Sequence, residues 1–257
     1  MLSNILDRIS LVSLSVVVVL LPLFFLPFTK IPIEASKGLL LVVGLAVAII
    51  TWAAARFSDG KINIPKSGLL LSGLGLVLVF FLSALFSSAS SVSFFGTVFD
   101  LGTFWFICAL FLVMLFTAMT VKDVKYARII LLGLLLSLGV SLIFQIARFF
   151  HPEFLSFGIL GGKTENLIGS WNTFGILAGF FGIISLFMME FFTTSKAFKW
   201  ILGVMLVLSV ILSAAVNFNL IWELVGVFSL LIFVYKISIS SGVKREEGSG
   251  AYFPAFS

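Results

Sequence analysis

Apolar residues gather along the chain into eight long runs, at approximately 9–28, 35–55, 68–87, 101–120, 127–148, 172–192, 200–216 and 218–236. A helix needs about 20 mainly apolar residues to cross a bilayer. These runs fit that length, and short polar segments separate them. Strands of a membrane barrel would instead alternate apolar and polar positions in short segments. In lipid, the backbone polar groups of a continuous apolar run are satisfied internally only by a helix. The pattern therefore predicts an all-α fold, a polytopic membrane helix bundle of about eight transmembrane helices.

The first run follows Arg8 and ends in Leu21-Pro22-Leu23-Phe24-Phe25-Leu26-Pro27. A secretory signal would have a shorter apolar core and small residues at a cleavage site. The run reads as an uncleaved first span, with Pro22 and Pro27 in its last turns, where a kink is tolerable. Residues 1–236 form the predicted membrane bundle, and 237–257 a short cytoplasmic tail. No repeat of 20–50 residues stands out.

Composition excludes the alternatives to a membrane protein. Of 257 residues, 61% are hydrophobic and only 11% charged, with 31 phenylalanines; mean hydropathy is +1.25. No soluble fold of this length buries so much apolar surface. A soluble enzyme, a nucleic-acid-binding domain and a disordered chain are all ruled out. The net charge of +5 comes from cations scattered singly between apolar runs, not from a phosphate-binding stripe. Membrane lipids, and not nucleic acid, are the expected surroundings. The lone Cys108 lies inside an apolar run and forms no intrachain disulfide.

Loop cations orient the bundle. With the N-terminus inside, Arg8, Arg56, Lys61, Lys66, Lys122, Lys125, Arg128, Lys196, Lys199, Lys236, Lys244 and Arg245 fall inside. Only Lys30, Lys37, Arg148 and Lys163 fall outside. This bias of 12 to 4 predicts both termini in the cytoplasm.

Most of the chain is chemically silent, with no metal-ligand, nucleotide-binding or nucleophile motif. No metal and no cofactor is expected. The richest polar segment is the outer loop after the fifth run. It holds Arg148, His151 and Glu153, then Lys163, Glu165, Asn166, Gly169, Ser170, Trp171 and Asn172. Cations, amide side chains and a helix start suit an anionic head group such as a lipid diphosphate. Arg148, Lys163, Asn166 and Asn172 are the candidate substrate-binding residues. In the plainer reading, Arg148 snorkels to water and Asn172 caps the next helix. Glu190 lies near the inner end of its run and reaches the interface. Glu223 lies five residues inside the last run, where an acid either faces the bundle or stays wet at the interface. Gly175, Gly179 and Gly182 mark either a close helix contact or ordinary glycine tolerance. Asn217 and Asn219 read as turn residues, and Ser87 to Ser93 as a polar loop without chemistry.

Several short segments, taken in order, resemble one family. They are Leu21-Pro22-Leu23-Phe24-Phe25-Leu26-Pro27 with Glu34 and Lys37 following, then Ser83-Ala84-Leu85-Phe86-Ser87-Ser88 with Ser91-Val92-Ser93-Phe94-Phe95-Gly96. Asn166 to Asn172 and Asn217 to Trp222 complete the set. Together they resemble the N-terminal half of the O-antigen ligase and O-antigen polymerase family of bacterial membrane glycosyltransferases. The resemblance implies a GT-C-like fold that needs no metal, location in the bacterial cytoplasmic (inner) membrane, and transfer of a glycan from an undecaprenyl-diphosphate carrier at the outer face of that membrane. It extends to Arg148 and to the 166–172 segment as carrier-facing residues. Lys163 and Glu223 have no counterpart in it. The 166–172 segment reads Gly169-Ser170-Trp171-Asn172 where the family more commonly has Gly-Asn-Pro-Asn.

The family's large outer loop lies in its C-terminal half, and this chain has none. The resemblance thus implies a chain incomplete as a catalyst, with Tyr252 to Phe256 as the start of a further span and a partner protein supplying the missing helices. An amphipathic tail is the alternative for that segment. Two other functions stand beside the polyprenyl-diphosphate-linked glycan reading: a transporter or flippase subunit, and a non-catalytic membrane scaffold. Nearly charge-free helix centres count against coupled ion transport.

Overall fold

The computed structural model describes residues 2–27, 31–60, 65–97, 102–158, 160–191 and 195–243. Among these, nine helices follow in order: α1 (Leu2–Leu20), α2 (Ile33–Asp59), α3 (Gly68–Leu85), α4 (Ser90–Phe95), α5 (Phe104–Thr120), α6 (Val124–Phe150), α7 (Trp171–Phe191), α8 (Lys196–Val216) and α9 (Asn219–Val243). Seven are long and apolar enough to cross a membrane. The remaining long one, α5, has 17 residues. At 1.5 Å per residue it is about 25 Å long, the short limit of a span. The chain is a multi-pass membrane protein by architecture, and each of the eight apolar runs forms a helix.

Three features depart most from the sequence reading. Helix α1 stops at Leu20 rather than near residue 28. Pro22 lacks an N–H for the helical ladder and disfavours helical geometry in the residue before it. Both prolines therefore lie beyond the helix instead of kinking it. The carbonyl of Leu20 accepts from Leu23 and Phe24, at 2.9 and 2.8 Å, to close the turn. Helix α4 was not foreseen. It forms from the serine-rich segment that reads as a loop, and its Phe94 packs edge-on against Phe81 of α3 and Phe104 of α5. Helix α9 runs on to Val243, seven residues past the expected end. The charged stretch from Lys244 and the aromatic Tyr252 to Phe256 lie outside the described residues.

The chain divides into two compact units, with residues up to Ser137 in the first and Leu138 onward, apart from 157–159, in the second. In the first, α1 lies along α2, and α5 packs on both. Small residues permit the close approach. Ser10 and Ser13 of α1 donate to the carbonyls of Ala48 and Gly44 at 3.0 and 2.8 Å. A Cβ on Gly44 would overlap Val17. Leu14, Leu45, Ala48, Phe116 and Met119 form the buried core. In contrast, α3 turns Leu69, Leu71, Leu78, Val79 and Leu82 outward, which suits a surface solvated by hydrocarbon rather than water.

In the second unit α7 packs on α8 and α9. A Cβ on Gly175 or Gly179 would press on Ile221 of α9, and one on Gly182 on the Ser209 hydroxyl of α8. Ser209 in turn donates to the carbonyl of Ala178. Of the two readings of this glycine stripe, the close helix contact is the one found. Glu190 of α7 meets Lys236 of α9 in an ion pair, a partner that spacing alone did not suggest.

Candidate functional site

The segment between α6 and α7 is folded around one side chain. Arg148, in the last turn of α6, has no exposed surface. Its Nη1 donates to the Phe154 carbonyl at 3.1 Å and its Nη2 to the Gly162 carbonyl at 2.8 Å. Carbonyls eight residues apart in the chain are thereby held on one guanidinium, whose planar fork suits such a clamp. The guanidinium also lies 5.8 Å from the Phe144 ring centroid, and Phe144 packs against Phe154. The snorkelling reading of Arg148 is thus overturned: the side chain turns back into the loop because unpaired carbonyls there need donors.

Gln145, one turn earlier, is equally buried. Its Nε2 donates to the Lys163 carbonyl at 2.8 Å. The Arg148 Nε and the Gln145 Oε1 are both buried without a hydrogen-bond partner. No carboxylate lies within ion-pair distance of Arg148 among the described residues. Glu165 is the carboxylate whose charge it feels, but that group accepts from the backbone N–H groups of Gly161 and Gly162.

Asn166 is the second organising residue, 1% exposed. Its Oδ1 accepts from the amides of Ile168 and Gly169 at 2.8 and 3.0 Å, an Asx-type turn. Its Nδ2 donates to the Thr164 carbonyl at 3.1 Å. Gly169 has φ 122, a region open to glycine. Ser170 then caps α7, its Oγ accepting from the Thr173 amide at 3.1 Å. This corrects the expectation for Asn172, which lies inside the first turn of α7 and is exposed. The cap falls on Ser170 because α7 begins at Trp171, which stacks on Phe174 at 5.6 Å. Leu155 adopts φ 48, a strained value for a branched side chain, in the stretch that the Arg148 clamp spans.

Of the four candidate residues, Arg148 and Asn166 are therefore buried organisers, while Lys163 and Asn172 are exposed. Arg148 and Gln145 tie Gly162 and Lys163 to the end of α6, so three of the four share one hydrogen-bonded loop. His151 and Glu153 are exposed in the turn that follows α6. Glu223 is exposed on α9, so it does not face the bundle interior. Gln145 was missed, although it is a polar residue in an apolar run, three positions before Arg148 and on the same helix face.

Lys37 was also missed as a buried group. It is 9% exposed, and its Nζ donates to the carbonyls of Leu21, Pro22 and Phe24 at 2.5, 3.0 and 3.1 Å. These carbonyls are orphaned where α1 ends. A cation at a helix C-terminus also meets the favourable end of the dipole. Among the described residues no group of three or more His, Cys, Asp or Glu side chains is assembled as for a metal ion.

No protein-family model matches the chain, and neither a curated protein nor a solved structure matches it.

Proposed function

We propose that this multi-pass membrane protein handles a polyprenyl-diphosphate-linked glycan at the 148–172 loop, as O-antigen ligases and polymerases do, at the outer face of a bacterial inner membrane. The observation that carries the reading is the buried Arg148 guanidinium. It has two carbonyl acceptors, a buried Nε–H without a partner, and no carboxylate within ion-pair distance among the described residues. A buried cation without a counter-charge is costly and favours a nearby anion. The exposed Lys163 and Asn172 offer donors on the surface of the same segment. In this reading Arg148 is a positioning residue: it holds the loop and contributes positive potential, and Lys163 makes the direct contact. The ordered resemblance to the ligase and polymerase family supplies the substrate class.

The test is binding of a short-chain polyprenyl diphosphate to the full chain in nanodiscs, with the monophosphate as comparison. Lys163→Ala, at an exposed position, is expected to weaken diphosphate binding about tenfold, the worth of one charge-assisted hydrogen bond. Arg148→Lys keeps the charge but loses the fork, and should weaken binding together with loop order. Equal affinity for the diphosphate and an uncharged polyprenol, or no effect of Lys163→Ala, would overturn the reading.

A further inference from the structure

A separate cavity of about 170 Å³ lies in the first unit. Asp7 of α1, Trp52 and Arg56 of α2, and Lys122, Asp123 and Tyr126 at the entry to α6 line it. Its four charged groups sum to zero, and they divide into two kinds. Arg56 and Asp7 form a fixed wall: the Arg56 Nη2 donates to both Asp7 carboxylate oxygens at 2.6 and 2.5 Å, and the guanidinium also pairs with Asp59 at 3.2 Å. The side chains of Lys122, Asp123 and Tyr126 make no hydrogen bond or ion pair among the described residues. One cation, one anion and one hydroxyl are thus left to face a ligand.

We propose that this cavity binds a phosphoethanolamine group, the head of an amino phospholipid. The proposal goes beyond the glycan reading and does not depend on it. A phosphate fits Lys122 and the Tyr126 hydroxyl. A primary ammonium donates to the Asp123 carboxylate and to the outer lone pairs of Asp7. A purely anionic head would meet two carboxylates at close range, where like charges repel. A quaternary ammonium has no N–H to donate and relies on aromatic faces. Here the Arg56 guanidinium already lies over Trp52, 5.8 Å from the centroid, and Phe116 packs against the same ring at 5.3 Å. Trp and Tyr mark the depth of a membrane interface, the level at which such a head group lies. The lipid is the proposed source, and free phosphoethanolamine shares the chemistry.

The experiment is titration of the delipidated full chain, read by native mass spectrometry. The probes are short-chain phosphatidylethanolamine, phosphatidylcholine, phosphatidylglycerol and free phosphoethanolamine. Phosphatidylethanolamine is expected to bind about tenfold more tightly than the other two lipids, one charge-assisted hydrogen bond converted to affinity. Asp123→Asn should abolish that preference; the α6 start is held by the Asp123 backbone carbonyl, which accepts from the Tyr126 and Ala127 amides at 3.1 and 3.2 Å, so the isosteric change leaves α6 in place. Lys122→Gln, at an exposed position, should weaken phosphatidylethanolamine binding by a similar factor through the phosphate. If free phosphoethanolamine binds as tightly as the lipid, the site stands and its source is soluble. Equal binding of phosphatidylcholine or phosphatidylglycerol, or a preference unchanged in both variants, overturns the proposal.

Discussion

Replacing Lys37 with methionine tests how the end of α1 is held. The side chains are similar in length, so packing volume is nearly kept while three donated hydrogen bonds are lost. The carbonyls of Leu21, Pro22 and Phe24 then have no donor. Each buried acceptor left unsatisfied costs about 1–3 kcal/mol. Opposing this, the variant no longer desolvates an ammonium, an effective penalty of several kcal/mol for a buried ion. Truncating one side of a buried charged interaction nonetheless destabilises by about 3–5 kcal/mol where the other side stays buried. Here Phe24 and its neighbours are only partly buried, so water can reach some of the freed carbonyls. The expected net loss is about 2–3 kcal/mol. The assay is denaturant-driven unfolding in mixed micelles, followed by Trp fluorescence, with Lys37→Arg as the control that keeps charge and donors. Stability of Lys37→Met equal to the wild type, within about 0.5 kcal/mol, would refute the argument that the ammonium offsets the broken ladder after Leu20.

Gly179→Leu should separate α7 from α9, because even a Cβ at this position comes within 2.9 Å of Ile221 and 3.2 Å of Val225; a loss of about 1–3 kcal/mol is expected from overpacking, and an unchanged melting temperature would count against it. Ser170→Ala removes the cap of α7 and should cost about 1 kcal/mol, whereas Asn172→Ala should cost less than half of that in the same unfolding assay. Asn166→Ala leaves the amides of Ile168 and Gly169 without their acceptor and should speed proteolysis within 160–170, while Asn166→Asp, which keeps the acceptor but loses the donor to the Thr164 carbonyl, should speed it less. Reporter fusions after Lys66, Lys125 and Lys199 are expected on the cytoplasmic side and fusions at Ser90 and His151 on the opposite side; an external signal at Lys125 would refute the orientation.

The sequence by itself determined the architecture. A run of about 20 apolar residues has one stable form in lipid, so every run became a helix. Polar segments separate these eight helices as the pattern required, although seven of them are long enough to span and the short α4 had no apolar run to announce it; Asn217 ends α8 in the left-handed geometry that its turn reading requires, with φ 50. A glycine every three or four residues on α7 pointed to a close contact before the partner helix was known. What the sequence left open was direction. In hydrocarbon nearly every face of a helix is apolar, so periodicity does not say which side meets protein. The fates of Arg148 and Lys37 followed from this: the same residue types that snorkel at a free helix end turn inward when a neighbouring turn presents orphaned carbonyls. Only the tertiary structure brought Leu21, Pro22 and Phe24 to Lys37, Phe154 and Gly162 to Arg148, and Asp7 to Arg56. In each case the unsatisfied backbone or charge that decides the rotamer comes from 6 to 49 positions away in the chain, beyond the reach of any local pattern.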